Sequence, residues 1–206
     1  MAAKKKSAKK KVGSQKVTAK KKAAPKKRAG KKPAPKKPSA ALPSIASEFV
    51  EEVAAFCELV NSGAAGDADL EGYASFNEQY KPSDWARNPS VDQQMLTFAM
   101  DSAGGQFTLW RQPNRELLDN PVVQLGDDGE LHVLANDFAS FAALVAAGVD
   151  LFSRSTDALT PRPQLQEFVQ KTWADRAFGD ATAILTDAKQ AWPNFAAWMQ
   201  DQVKAD

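Results

Sequence analysis

Residues 104–148 constrain the fold more than any other part of the chain, because strand patterns and turn residues follow one another there without interruption. Polar and apolar residues alternate over residues 106–111, which is typical of a β-strand. A second apolar run covers residues 122–125, and residues 131–135 repeat apolar side chains at every second position. The GDDG segment at 126–129 forms a tight turn between them, since Asp and Gly tolerate the backbone angles that turns require. The pattern predicts a strand followed by an antiparallel hairpin.

A helix follows the hairpin and has its own start and stop residues. Asn136 or Asp137 can cap its N-terminus, because a side-chain oxygen there accepts a hydrogen bond from a free backbone N–H group. Apolar residues then recur at steps of three and four from Phe138 to Val145. Gly148 lies where a residue in the left-handed conformation ends many helices. We expect this amphipathic helix to cover one face of the hairpin.

A further strand is predicted immediately before this stretch, at residues 95–100 (MLTFAM). The turn at residues 101–105 pairs it with the strand that follows. In that following strand, Gln106 and Thr108 are expected to face outward, because they alternate with apolar residues. Together these elements predict an α+β fold, a small antiparallel sheet flanked by helices.

Three runs of the chain resemble the C-terminal half of the SUKH superfamily. They are FTLWR at 107–111, PVVQLGDDGELHVLAND at 121–137 and FASFAALVAAG at 138–148. In that family a strand ends in a similar LW pair, and a PVV-x-LG-x-(D/E)-G-E hairpin leads to a helix with a similar aromatic pattern. The chain departs from the family at Ala142, where Leu is usual.

The resemblance implies a SUKH-like domain over residues 43–206. It also implies that residues 64–90 link the first helix to the sheet; within them, Tyr73, Phe76 and Tyr80 fit a short helix or a strand equally well. Members of the family are typically binding proteins. Many bacterial members are proposed to act as immunity proteins against nuclease or other toxins, and fungal members regulate cell-wall synthesis through partner proteins.

Helices are also predicted on both sides of the central stretch. Residues 47–60 place apolar side chains on one face and glutamates mostly elsewhere. A second helix begins at Gln164, after two prolines, and closes at Phe178 and Gly179. A third, capped by Asp180, ends near residue 192, and a last short helix follows.

The N-terminal segment has a different composition from the rest of the chain. Residues 1–40 contain 16 lysines and Arg28 but no acidic residue. Like charges repel and nothing in the segment can form a core, so a disordered tail over residues 1–42 is predicted. The segment is similar to the lysine–alanine–proline tails of linker-histone-like proteins.

Such a tail has affinity for polyanions, because each neutralised phosphate releases counterions, with a salt slope of about −0.9 per contact on duplex DNA. No aromatic residue interleaves the lysines, so base stacking and sequence-specific reading are not expected. The tail is predicted to bind DNA or RNA nonspecifically; a solubilising role and a contact with the acidic body are the alternatives. The predicted nucleic-acid-binding residues are Lys4, Lys5, Lys6, Lys9, Lys10, Lys11, Lys20, Lys21, Lys22, Lys26, Lys27, Arg28, Lys31, Lys32, Lys36 and Lys37.

The remainder of the chain is strongly acidic. Seventeen of the 27 basic residues lie in the tail, which leaves ten basic against 25 acidic residues and a formal charge of −15 on residues 41–206. An acidic surface complements a basic, nucleic-acid-directed partner and accelerates association with it.

No catalytic site, metal site or cofactor is predicted. His132 is the only histidine and is expected to be a surface or rim residue of its strand. Cys57, the only cysteine, is expected to be a buried small hydrophobic residue. The carboxylates match no EF-hand or zinc spacing, and phosphate-loop and nucleophile-elbow motifs do not occur. We therefore expect no enzyme activity.

The large aromatic residues have two possible roles. Trp110, Phe138 and Phe141 are predicted to pack in the core. Four tryptophans belong either to the core or to a partner-binding surface, where Trp is enriched. These are Trp85, Trp173, Trp192 and Trp198.

The functional prediction is a non-catalytic protein-binding module of the SUKH type, with an immunity protein that neutralises a toxin as its specific form. The alternative is a nucleoid- or chromatin-associated architectural protein that acts through its tail. The chain lacks a run of 18 apolar residues and the apolar segment of a secretory signal, so it is expected to be cytoplasmic, with nucleoid association as a further expectation.

Overall fold

The computed structural model describes residues 50–66 and 68–203. A five-stranded antiparallel sheet lies at its centre, and each strand pairs with the next one in sequence. The expected α+β fold with a small antiparallel sheet is confirmed, and β1 adds an edge strand that the pattern did not reveal. The strands are β1 (Glu71–Gly72), β2 (Met95–Met100), β3 (Gln106–Trp110), β4 (Val122–Leu125) and β5 (Leu131–Ala135).

Helices flank the sheet on both faces. A π-helical turn, Val60–Ala64, continues the first helix, and 3-10 turns at Pro89–Gln93 and Leu117–Asp119 precede β2 and β4. Within residues 50–66 and 68–203, no helix combines the length and apolar character needed to cross a bilayer. The α-helices are α1 (Glu51–Leu59), α2 (Pro82–Ala86), α3 (Phe138–Ala147), α4 (Pro163–Thr172), α5 (Ala181–Ala191) and α6 (Phe195–Gln202).

Local start and stop signals act as predicted. Asp137 caps α3 by accepting a 2.8 Å hydrogen bond from the backbone N–H of Ser140, and Asp180 caps α5 in the same way. Gly148 ends α3 with φ of +90°. The GDDG turn closes through a 2.8 Å bond from the Gly126 N–H to the carbonyl of residue 130. These contacts fix the hairpin and the helix that follows it.

One face of the sheet packs against α1 and α3 through a cluster of phenylalanines. Phe98 of β2 makes edge-to-face contacts with Phe138 and Phe141 of α3, with ring centroids 5.3 and 5.4 Å apart. Phe56 of α1 contacts the same two rings. All four side chains are fully buried. Each such aromatic pair contributes about 0.5–1.5 kcal/mol beyond the burial of its area.

The other face of the sheet is also covered, which contradicts the expected outward orientation of Gln106 and Thr108. Their residues are only 4% and 0% exposed. Thr97 donates to Gln106 Oε1 at 2.9 Å and lies 3.0 Å from the Thr108 hydroxyl, so each polar group is satisfied inside the protein. The alternation in β3 therefore separates two buried faces, because α6 and the segment around α2 cover the second one. Its apolar cluster centres on Trp110 and Phe195.

One predicted helix boundary is wrong. The helix predicted to close at Phe178 and Gly179 ends at Thr172. Trp173 leaves the helical conformation and packs edge-on against Phe168, with ring centroids 5.7 Å apart. Residues 64–90 contain β1 and α2, but Tyr73, Phe76 and Tyr80 lie in the irregular turns between them and belong to neither a helix nor a strand.

The predicted tail at residues 1–42 and the boundary at residue 43 lie outside the described residues. The predicted start of the first helix at residue 47 lies outside them as well.

Candidate functional site

All sixteen basic residues predicted to bind nucleic acid, from Lys4 to Lys37, lie outside the described residues. Their role stays a prediction. Within the described part of the chain, two surfaces combine charge with exposed or accessible aromatic groups: one end of the sheet and a groove beside strand β5.

The strand register brings two turns together at one end of the sheet. Met100 is opposite Gln106, Gln106 is opposite Leu125, and Leu125 is opposite Leu131. The β2–β3 turn and the β4–β5 turn are therefore neighbours, and Glu71 of β1 joins them because it pairs with Met100. We call this part of the surface the acidic end.

Exposed carboxylates surround these turns. Asp69 is tied to the β2–β3 turn by accepting hydrogen bonds from the backbone and hydroxyl of Ser102, at 2.9 and 2.7 Å. Asp84 lies on α2, next to Trp85, whose indole donates a 2.7 Å bond to the carbonyl of Gly126. Among residues 50–66 and 68–203, no Lys or Arg forms a salt bridge with the carboxylates of this end. The six exposed ones are Asp69, Glu71, Asp84, Asp127, Asp128 and Glu130.

The acidic end also carries aromatic side chains. Tyr80 is 40% exposed and precedes Lys81, whose carbonyl accepts a bond from Gln106 of β3. Phe152 is 69% exposed, the largest value among the large apolar residues described. It lies in the loop after α3, two residues before Arg154. An aromatic group so exposed beside charged residues is a feature of protein-binding surfaces.

A chain of hydrogen bonds holds the loop of Phe152 to the turns. Arg154 donates to Gln124 Oε1 at 3.3 Å, and Gln124 in turn donates to Asp101 Oδ2 at 3.3 Å. Asp101 also accepts a 2.7 Å bond from the N–H of Gly105, which shapes the β2–β3 turn. A Cβ at Gly105 would lie 2.4 Å from the Asp101 carboxylate, so this turn accepts only glycine in its present form. The acidic end is thus a preorganised surface.

At the opposite end of the sheet, part of the charge is paired. Arg176 forms salt bridges with Asp137 at 3.2 Å and with Asp119 at 3.9 Å. Arg115 lies over the ring of Trp192, 4.9 Å from its centroid, in a cation–π contact. The net negative charge of the domain is therefore distributed unevenly between the two ends.

A groove of about 950 Å³ runs along the outer side of β5. We call it the β5 groove. Residues from β5, the loop after α3, α5 and the start of α6 form its walls. They are Leu131, His132, Val133, Arg154, Leu185, Thr186, Lys189, Gln190, Trp192, Pro193, Phe195 and Ala196.

His132 lies in the wall of this groove. It is half-buried, and its Nε2 atom is buried without a hydrogen-bond partner among the described residues. Burial lowers the pKa of His132; Arg154 and Lys189 lower it further, whereas Glu130 opposes them. His132 was expected at the surface or rim of its strand, and it lies in the wall of the groove. Its imidazole is neutral at pH 7 because its pKa is lowered.

Cys57 matches its predicted role. It is buried between α1 and β1, and a Cβ at Gly72 would lie 2.6 Å from the Cys57 Cβ, so helix and strand are in close contact. Burial raises the pKa of the Cys57 thiol to about 12, which keeps it protonated and unreactive at neutral pH. Among residues 50–66 and 68–203, no group of three or more His, Cys, Asp or Glu side chains is arranged to hold a metal ion.

Sequence reasoning missed Phe152, Tyr80 and the β5 groove as functional features. Phe152 has a visible signal, because it follows Leu151 in a stretch otherwise made of Asp, Ser and Arg. The four tryptophans whose role was open are all partly buried and pack against the apolar clusters: Trp173 on the phenylalanine side, and Trp85, Trp192 and Trp198 on the side of Trp110.

Comparisons with protein-family models, with curated proteins and with solved structures find no match to this chain.

Proposed function

We propose that residues 43–206 form a non-catalytic protein-binding module of the SUKH type, which binds a basic protein partner through its acidic end. The observation that carries the proposal is the set of six exposed carboxylates gathered around Tyr80, Trp85 and Phe152, without a salt bridge among the described residues. The resemblance of residues 107–148 to the SUKH superfamily agrees with a binding role.

Two physical effects support this proposal. A cluster of like charges attracts an oppositely charged partner over several ångströms and accelerates association, by an amount that falls with ionic strength. Phe152 offers a large apolar surface at the same end, and burial of such an anchor supplies much of the binding energy in protein interfaces. The carboxylates that would attract the partner and the aromatic side chain that would be buried in the interface therefore lie on the same surface.

The specific form that we propose is an immunity protein for a toxin that acts on nucleic acid. A protein that binds nucleic acid carries a basic surface, and an acidic surface of matching shape can cover it. This role places the protein in the cytoplasm or beside the nucleoid, where such a toxin would act.

Charge reversal tests the role of the acidic end. The variant carries Asp127→Lys and Asp128→Lys, and the control carries Glu167→Lys and Asp175→Lys, which reverse the same number of exposed charges on and after α4. Neither Asp127 nor Asp128 has a positive φ, so lysine fits the turn. The full chain is used to isolate partners from nuclease-treated cell extract, and each partner is identified by mass spectrometry.

The proposal predicts that a basic protein, encoded next to this gene in the immunity-protein form, is retained by the wild type and by the control but lost by the variant. Retention of the same proteins by all three chains, or by none, would contradict it.

The alternative function, a nucleic-acid-associated architectural protein, rests on the 17 basic residues among the first 40. Gel-shift assays of the full chain and of a chain without residues 1–40, across a series of salt concentrations, test it. The alternative predicts binding that weakens steeply with salt and requires the tail. A full chain that leaves DNA and RNA unbound at low salt excludes it.

A further inference from the structure

The lining of the β5 groove has a charge opposite to that of the domain. Arg154 and Lys189 are its charged members, and none of the twelve lining residues is acidic. Residues 41–206 as a whole carry a formal charge of −15. Glu130 acts electrostatically on His132 but belongs to the acidic end and not to the lining. The groove is thus a cationic site in an acidic protein.

The remaining wall of the groove is mostly apolar and rigidly held. Leu131 and Val133 come from β5, and Leu185 comes from α5. Trp192 is fixed by a 3.0 Å hydrogen bond from its indole to Asn136 and by an edge-to-face contact with Trp110 at 5.7 Å. A preformed apolar wall of this kind favours a ligand with an apolar or aromatic body.

The position of one of the two cations, Arg154, is also defined. The guanidinium of Arg154 is anchored to Gln124, and its backbone has a φ of +55°, which is uncommon for a residue other than glycine. Lys189 lies in the last turn of α5 and is exposed. Because a carboxylate accepts charge-assisted hydrogen bonds from such groups, the site suits an anionic head group.

We propose that the β5 groove binds a small organic carboxylate with an apolar body. Its carboxylate lies near Arg154 and Lys189, and its apolar part packs against Leu131, Val133 and Trp192. The volume of about 950 Å³ is at the upper end of the range of about 300–1,000 Å³ that is usual for small-molecule sites. This site adjoins the acidic end, because Leu131 and Arg154 lie next to it, but the proposed ligand does not depend on the proposed protein partner.

The test uses the full chain and the fluorescent probe 11-(dansylamino)undecanoate, whose emission shifts to shorter wavelength in an apolar site. Its methyl ester has the same apolar body without the charge. We expect saturable binding of the acid, with an affinity about tenfold higher than that of the ester, which corresponds to about 1.4 kcal/mol for the charge contacts that the ester cannot make.

Matched variants locate the site. Lys189→Glu reverses the charge in the groove, whereas Lys171→Glu makes the same change in the last turn of α4, outside the groove. We expect about tenfold weaker binding of the acid for Lys189→Glu and an unchanged affinity for Lys171→Glu. Circular dichroism checks that both variants are folded, and Leu185→Trp, which fills the groove without a change of charge, should also abolish binding.

Nuclear magnetic resonance gives an independent readout. The probe should shift the indole N–H signal of Trp192 and the backbone amides of residues 131–133. Absence of saturable binding, equal affinity for acid and ester, equal losses in Lys189→Glu and Lys171→Glu, or shifts confined to other surfaces would each overturn the proposal.

Discussion

At the scale of single residues, backbone conformation and close approach decide which side chains are allowed. Gly148 and Gly129 have nearly the same φ, +90° and +91°. They differ in their surroundings: a Cβ at Gly148 would lie 2.0 Å from the carbonyl oxygen of Thr160, whereas a Cβ at Gly129 would meet no heavy atom within 4 Å. A substitution at Gly129 therefore tests the effect of the positive φ alone, whereas a substitution at Gly148 adds a steric clash to it.

We predict that Gly148→Ala lowers the free energy of unfolding by about 2–4 kcal/mol, because conformational strain and a backbone clash add together. Gly129→Ala should lower it by about 1 kcal/mol, from strain alone. Urea denaturation of the two variants measures both values. Equal losses would mean that the contact of Gly148 with Thr160 has no energetic weight.

His132 gives a prediction for pH. Its pKa in the folded protein is lowered by burial, so the fold favours the neutral imidazole. The resulting stabilisation is complete above the unfolded pKa of about 6.5 and is lost as the pH falls through that value and through the folded pKa. Because the chain has one histidine, its imidazole signals can be titrated by NMR without ambiguity.

We expect that titration to give a pKa below 6.5, and His132→Gln to remove the corresponding loss of stability at acid pH. A measured pKa at or above 6.5 would show that the imidazole is not held neutral in the groove wall.

At the scale of secondary-structure elements, the sequence predicted the parts of the fold that local chemistry determines. Strands β4 and β5, the turn between them and helix α3 were located because Pro121, the GDDG segment, Asp137 and Gly148 each mark a boundary by a local mechanism. The two-residue strand β1 has no such signal, since it exists only through its pairing with β2.

The burial of Gln106 and Thr108 and the location of the candidate sites were not predictable in this way. The alternation of polar and apolar side chains in β3 shows that the two faces of the strand have different surroundings, but it does not show whether the polar face is exposed. That face is buried because it is covered by α6, which lies nearly 90 residues later in the chain. The acidic composition was evident from the sequence. Its concentration at one end of the sheet follows from the strand register, which joins turns that are distant in sequence.

Helix α6 gives the prediction at this scale. Phe195 is buried, and its ring centroid lies 5.0 Å from that of Trp110. We predict that Phe195→Ala lowers the free energy of unfolding by about 3–5 kcal/mol, because it leaves a cavity between α6 and the sheet. Gln200→Ala, on an exposed position of the same helix, should change it by less than about 0.5 kcal/mol. Chemical denaturation of both variants makes the comparison, and similar small losses would show that α6 does not stabilise the sheet.

At the scale of the whole molecule, we propose different roles for different parts of the chain. The acidic end, with its exposed carboxylates and Phe152, is proposed to bind a protein partner, whereas at the opposite end Arg176 pairs with Asp137 and Asp119. The basic residues from Lys4 to Lys37 are proposed to bind polyanions independently. The most specific of these proposals is that the protein partner binds at the acidic end.

Site-specific photo-cross-linking in living cells tests this claim most directly. A photoreactive phenylalanine derivative is placed at Phe152, and in a control chain at Asp175, which is exposed next to Arg176 at the opposite end. We predict that irradiation links position 152, but not position 175, to one basic protein. Equal cross-linking at both positions, or cross-linking at position 175 alone, would contradict the claim, as would the absence of any cross-link at position 152.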